Sequence, residues 1–127
     1  MPMVVPGTVS GAETSAGFHI METPTDHWVE TLTGLGATGT EIFLAHMGER
    51  PMQGHPLVPL LQISAEPSVQ QSFSEDLDLS LEGSSERWTA AILQKVLAVA
   101  SRQYTPKVLL QGNNDFQLTR GLLGVSL

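Results

Sequence analysis

Four histidines, His19, His27, His46 and His55, stand in a chain of 127 residues that contains no cysteine. Two of them share the stretch "FLAHMGERPMQGHPLVPLLQI" (residues 43–63) with Glu49 and Arg50, so that two imidazoles, a carboxylate and a guanidinium lie close in sequence. Such a set can move protons near neutral pH, grip an anion or ligate a divalent metal. The candidate ligands are His46, Glu49 and His55, although the His-Glu-x-x-His spacing of a helical metal site is missing. His19 lies in an apolar run and reads as a hydrogen-bonded core or rim histidine, and His27 belongs to a first helical turn. Glu22, Asp26 and Glu30 surround the end of one apolar run and the start of a helix, as site carboxylates or as caps. No serine sits in a Gly-x-Ser-x-Gly elbow, and no glycine-rich run matches a P-loop or dinucleotide fingerprint.

These side chains need a frame. "GFHIME" (residues 17–22) reads as a strand stopped at Thr23-Pro24, because the residue before proline is pushed to extended backbone. Asp26 or Thr25 then caps a helix to about Thr38, with Val29, Leu32 and Leu35 on one face and Gly39 ending it. "EIFLA" (residues 41–45) and "LVPLLQIS" (residues 57–64) follow as strands. Strand, helix, strand, with near-continuous apolar strands, predicts an α/β fold: one domain with a mostly parallel sheet and flanking helices, of Rossmann-like three-layer type. In such a sheet the C-terminal strand ends line the ligand crevice, which predicts a shared neighbourhood for Glu22, Thr23, His46, Glu49 and Arg50.

The first helix carries "TGLGATG", whose glycines each cost up to about 1 kcal/mol of helix propensity and suit a backbone that approaches the sheet or a ligand closely. "SEDLDLSLEG" (residues 74–83) alternates acids and leucines, as an edge strand or a bridging loop. A helix over residues 85–102 follows, capped by Ser84 or Ser85, with Glu86 and Arg102 suited to its dipole. Trp88, Ile92, Val96 and Val99 form one stripe that Leu93, Leu97 and Ala100 widen, which predicts a core-facing helix with Trp88 in the core. Gly112-Asn113-Asn114-Asp115 is a turn signal between two apolar pieces of the tail.

Composition narrows the function classes. Thirteen acids against six bases give a formal charge of −7, and Arg50, Arg87, Lys95, Arg102, Lys107 and Arg120 are scattered. Nucleic acid is not the expected partner, since phosphate binding needs a basic face. No run reaches the length of a membrane helix, and the N-terminus lacks the pattern of a signal peptide, so a cytoplasmic protein is expected. Residues 1–16, with two prolines before a stretch of small polar residues, read as a flexible arm or linker ahead of a domain over residues 17–127.

The order "GFHIMETP…ETLTGLGATGTEIFLAHMGERPMQGHPLVPLLQISAEP…EDLDLSLEG", followed by "VLAVAS", resembles the C-terminal region of the altronate and galactarate dehydratase family over about residues 17–101. The ending "NDFQLTRGLLGVSL" is similar to family tails as well. The family pattern runs Met-Asp-Thr-Pro, a Thr-Gly helix with a Gly turn, a strand into Thr-Thr-Gly-Arg-Gly, then Gly-x-Pro, Pro-Val-(Ile/Leu)-Lys-Val and Asp-x-Asp. Family members dehydrate sugar acids, usually with a divalent metal such as iron. No cofactor is evident in this chain alone. The chemistry asks for a base at the carbon next to the carboxylate, groups that hold the developing enolate, and an acid for the departing hydroxyl.

Carried over by that resemblance, Glu22, His46 and Glu49 are the candidate catalytic residues, and Thr23, Thr33, Gly34, Gly48, Arg50 and Gly54 the candidate substrate contacts. The departures are specific. Glu22 lengthens the family aspartate, His46-Met47-Gly48-Glu49-Arg50 replaces Thr-Thr-Gly-Arg-Gly, Gln62 replaces a lysine, and Glu66 stands where asparagine is frequent. The leading expectation is a dehydratase C-terminal domain that forms one wall of a hydro-lyase site and is not active alone. The alternative is a non-catalytic sugar-acid-binding or assembly module. The expected partners are a sugar acid and the preceding family domains, in cis or as a separate subunit, with a homo-oligomer compatible with either reading.

Overall fold

The apolar runs become strands that all pair in parallel. The structure, a computed structural model, describes residues 3–5, 17–22 and 26–116. Its elements in chain order are β1 (Met3–Val5), β2 (His19–Met21), α1 (Trp28–Ala37), β3 (Phe43–His46), β4 (Leu60–Ser64), α2 (Pro67–Ser72), β5 (Leu79–Ser80), α3 (Ser85–Ala100) and α4 (Lys107–Gln111). They form two compact units, Met1–Glu41 with Asp115–Leu127, and Ile42–Asn114. The α/β class and the parallel sheet with flanking helices stand as expected.

In the first unit β1 pairs with β2, Met3 opposite His19 and Val5 opposite Met21. Part of the stretch expected to be a flexible arm is therefore a strand, with the β-branched Val4 and Val5 beside a parallel partner. Helix α1 starts later than expected. Its N-cap is His27, whose Nδ1 lies 3.5 Å from the Glu30 N–H, and not Asp26 or Thr25. It ends as expected: Thr38 is the C-cap and Gly39, at φ 98°, takes the left-handed turn that a side chain resists.

In the second unit β4 is central, in the order β3-β4-β5, with Phe43 opposite Leu60 and Ile63 opposite Leu79. Every residue of β4 is buried, as a strand covered on both faces must be. The edge strand β3 alternates: Phe43 and Ala45 are buried, while Leu44 and His46 are exposed. The link from β3 to β4 is the loop of residues 47–59 and carries no helix, and the link from β4 to β5 runs through α2. Met47 leaves β3 straight into a core cluster with Val69 and Leu77, against which Phe73 packs.

One buried carboxylate joins four segments of this unit. Asp78, 7% exposed, accepts hydrogen bonds from the Gln62 N–H at 2.7 Å, the Tyr104 hydroxyl at 2.7 Å and the Lys107 N–H at 2.9 Å. Tyr104 reaches it because α3 stops abruptly. Arg102 sits at φ 60°, with its N–H on the Val99 carbonyl and the Gln103 N–H on the Ala98 carbonyl, which turns the chain back. A non-glycine residue there stores on the order of 1 kcal/mol of strain. Lys95 Nζ stacks 4.0 Å from the Tyr104 ring centre and closes the same corner from α3.

The helix expected to face the core through a wide stripe is mostly surface. Of its residues only Val99 is buried; Trp88, Ile92 and Val96 are half-buried, and Leu93 and Leu97 are 57% and 59% exposed. The stripe was apolar enough for a core, but the small sheet covers only its Val99 side.

Replacing Asp78 with alanine should lower stability by about 3 kcal/mol, since Gln62, Tyr104 and Lys107 lose their acceptor together, and urea unfolding reads this directly. Burial first, then the hydrogen bond to Asp78 and its charge, raise the Tyr104 pKa. The unfolded tyrosine ionises near about 10, so stability falls as pH rises above that value while the folded group keeps its proton. Tyr104 is the sole tyrosine, so an ultraviolet titration follows it without overlap and should show its ionisation moving down toward the ordinary value in Asp78→Asn.

Candidate functional site

The loop that follows β3 begins at the C-terminal edge of a parallel sheet, where strand carbonyls and side chains are free to meet a ligand. Its root is tied down. The Met47 N–H donates to the Ile63 carbonyl at 2.8 Å, and the buried Ser64 hydroxyl donates to the Met47 carbonyl at 2.6 Å. Ser64 Oγ also accepts the Glu66 N–H at 3.1 Å, and the Gln70 side-chain amide donates to the carbonyls of Ser64 and Leu81 at 2.9 and 3.1 Å. The edge is thus a hydrogen-bonded rim spanning β3, β4 and the start of α2.

On that rim stand the expected groups His46, Gly48, Glu49 and Arg50, all exposed. His46 Nε2 accepts the Ala65 N–H at 3.4 Å, which sets the imidazole against the end of β4 and beside Glu66, the N-cap of α2. Residues 48–50 project from this root. Glu66, Ser64 and Gln70 were not among the candidates from the sequence. A loop glutamate with a second, N-capping glutamate gives the rim two carboxylates, one guanidinium and one imidazole. A guanidinium suits an anion and an imidazole suits proton exchange, so the set has the chemistry of a small polar site.

The far half of the loop does something different. Gly54 donates its N–H to the Asn113 carbonyl at 2.8 Å and bridges Asn114 in parallel fashion, and a Cβ there would meet Asn114 Oδ1 and Val108 Cγ2 at 2.8 Å. It is a packing glycine in this fold. The acceptor is supplied by the expected turn signal: Gly112 caps α4 at φ 70° and turns Asn113 toward the loop. Met52 is held from the sheet, its N–H donating to Gln62 Oε1 at 2.6 Å. Gln62 is fully buried and also donates to the Asp76 carbonyl at 3.4 Å.

His55 is 3% exposed, accepts the Leu57 N–H on Nδ1 at 3.1 Å, and meets the Phe43 ring edge-on at 6.5 Å. Burial lowers its pKa, so the ring is neutral at pH 7. The metal set expected from His46, Glu49 and His55 is accordingly not assembled: His55 is an interior side chain and His46 a rim side chain. Among the described residues no group of three or more histidines and acids could hold a metal ion. The divalent ion implied by the family resemblance finds no ligand set there.

In the first unit Glu22 is exposed just after β2, while Thr33 is half-buried and Gly34 buried within α1. Thr23 lies outside the described residues. An open cavity of about 360 Å³ in this unit is lined by Gly17, His19, Met21, Leu35, Thr38, Gly39 and Thr40, none of them among the expected catalytic or substrate residues. Among the described residues no helix is long and apolar enough to cross a membrane.

A family model described as "D-galactarate/Altronate dehydratase, C-terminal" matches residues 5–123. Comparisons with curated proteins and with solved structures give no match.

The lowered pKa of His55 sets a pH dependence. Below about 6.5 an unfolded histidine takes up a proton that folded His55 resists, so the unfolded chain binds more protons and stability falls with pH in that window. His55→Asn, which keeps a side-chain acceptor, should flatten the fall in denaturation free energy between pH 7 and 5 relative to the unmodified chain. An unchanged slope would assign it to other groups.

Proposed function

The chain belongs to the D-galactarate/altronate dehydratase C-terminal family, and on that premise we propose that it supplies one wall of a hydro-lyase site for a sugar acid and is insufficient for turnover alone. The reading is carried by one observation: His46, Gly48, Glu49 and Arg50 are exposed together at the C-terminal edge of a parallel sheet whose loop root is fully hydrogen-bonded. Arg50 grips the substrate carboxylate, for which a planar guanidinium is suited. His46, held by the Ala65 N–H, exchanges a proton with the carbon next to that carboxylate or with the leaving hydroxyl. Glu49 is the further proton acceptor, and the Gly48 backbone leaves room for the sugar chain.

Exposure argues for the second half of the proposal. Removing a proton beside a carboxylate builds enolate charge, which needs preorganised donors in a site that excludes water. The rim carries one guanidinium and lies open, so further walls come from other regions of a dehydratase, in the same chain or in another subunit. One observation favours the alternative of a non-catalytic binding or assembly module. Gln62 stands where the resemblance places a lysine, and its amide is buried on Met52 and Asp76, so the rim gains no second cation from β4.

Galactarate and altronate should raise the melting temperature of the chain, and Arg50→Ala should weaken the fitted affinity about tenfold, or about 1.4 kcal/mol. The chain with ferrous ion should give no dehydration product on its own. Turnover by the isolated chain would refute its insufficiency, and indifference to a panel of aldonic and aldaric acids would leave the assembly module as the better reading.

A further inference from the structure

The outer face of α3 repeats apolar residues at a spacing the sheet does not use. Ala90, Leu93, Leu97 and Ala100 are all exposed and follow one another at intervals of three, four and three, the spacing of a coiled-coil seam. The opposite side of the helix is engaged within the unit, with Val99 buried and Lys95 stacked on Tyr104. Between Arg87 and Arg102 this outer face carries no charge; Thr89, Gln94 and Val96 flank it.

We propose that this face pairs with the same face of a second copy, the two α3 helices running antiparallel about a two-fold axis at the level of Lys95. The order of residues is a palindrome about Lys95, so an antiparallel pair sets leucine on leucine and alanine on alanine. Leu93 of one copy meets Leu97 of the other at the centre, and Ala90 meets Ala100 on either side, where small side chains let the helices approach. A parallel pair would set each alanine beside its own equivalent and align the two dipoles. Antiparallel pairing opposes the dipoles and brings Glu86, in the first turn, toward Arg102, just past the end of the partner helix. One helix pair is smaller than a standard interface of about 800 Å² per partner, so the association is concentration-dependent.

Sedimentation equilibrium of the full chain from micromolar to submillimolar concentration should show a monomer–dimer equilibrium. Leu97→Glu, a substitution at a residue 59% exposed, should abolish the dimer while circular dichroism stays unchanged. The chain has no native cysteine, so engineered ones report alone. A mixture of Ala90→Cys and Ala100→Cys proteins should cross-link across copies under mild oxidation, and Ala90→Cys by itself should not, because its two sulfurs lie roughly 15 Å apart along the axis. A monomer throughout the range overturns the proposal, as does a dimer that Leu97→Glu leaves intact or that cross-links through Ala90→Cys alone.

Discussion

The second unit depends on a single buried charge. Asp78 stands just before β5, between the central strand and the helical end of the unit, and its carboxylate accepts donors from Gln62, Tyr104 and Lys107. A buried carboxylate without partners would cost several kcal/mol, so these donors are a condition for its being there at all. The backbone pairs around it repeat the connection, since the Asp78 N–H donates to the Gln62 carbonyl at 2.8 Å. Charge and ladder together fix the register of β5, which is too short for apolar pattern alone to fix it.

Everything near the rim inherits that fixation. Gln62 is held by Asp78 through its backbone and holds Met52 through its side chain, so the sheet positions the middle of the loop directly. Gly54 and His55 secure the far half, one against Asn113 and Val108, the other beside Phe43. Ser64 and Gln70 secure the near end. What is left without such anchors is the short run of Gly48, Glu49 and Arg50, and a rigid frame with a brief free tip is how a loop carries specificity without destabilising its fold.

Much of this was legible in the order of apolar runs and breakers. The parallel pattern, the end of α1 at Gly39 and the span of α3 follow from periodicity, glycine and capping residues, which act locally. Asp78 was not legible. In "EDLDLSLEG" it looks like one more acid of an alternating strand, and only its distant partners, Tyr104 and Lys107, distinguish it from Asp76. The same holds for the histidines: His46 and His55 are near in sequence, yet the loop between them passes from the sheet edge to a contact with Asn113, so one is rim and the other interior. Proximity along a loop says little about proximity in space when the loop must return from one end of a parallel strand to the start of the next.

The charge balance of the rim ties these points together. A chain of net charge −7 repels an anion at a distance, and Glu49 and Glu66 add to that field where the loop and α2 begin. A guanidinium such as that of Arg50 offsets such a field only at contact range, where bidentate bonds to a carboxylate outweigh the screened repulsion of exposed acids. A dehydratase that had to stabilise enolate charge here would need more cations or donors than this loop presents. Gln62 is buried and neutral, so β4 brings no cation to the rim, and on the proposed reading the positive charge that enolate stabilisation needs has to arrive from outside it.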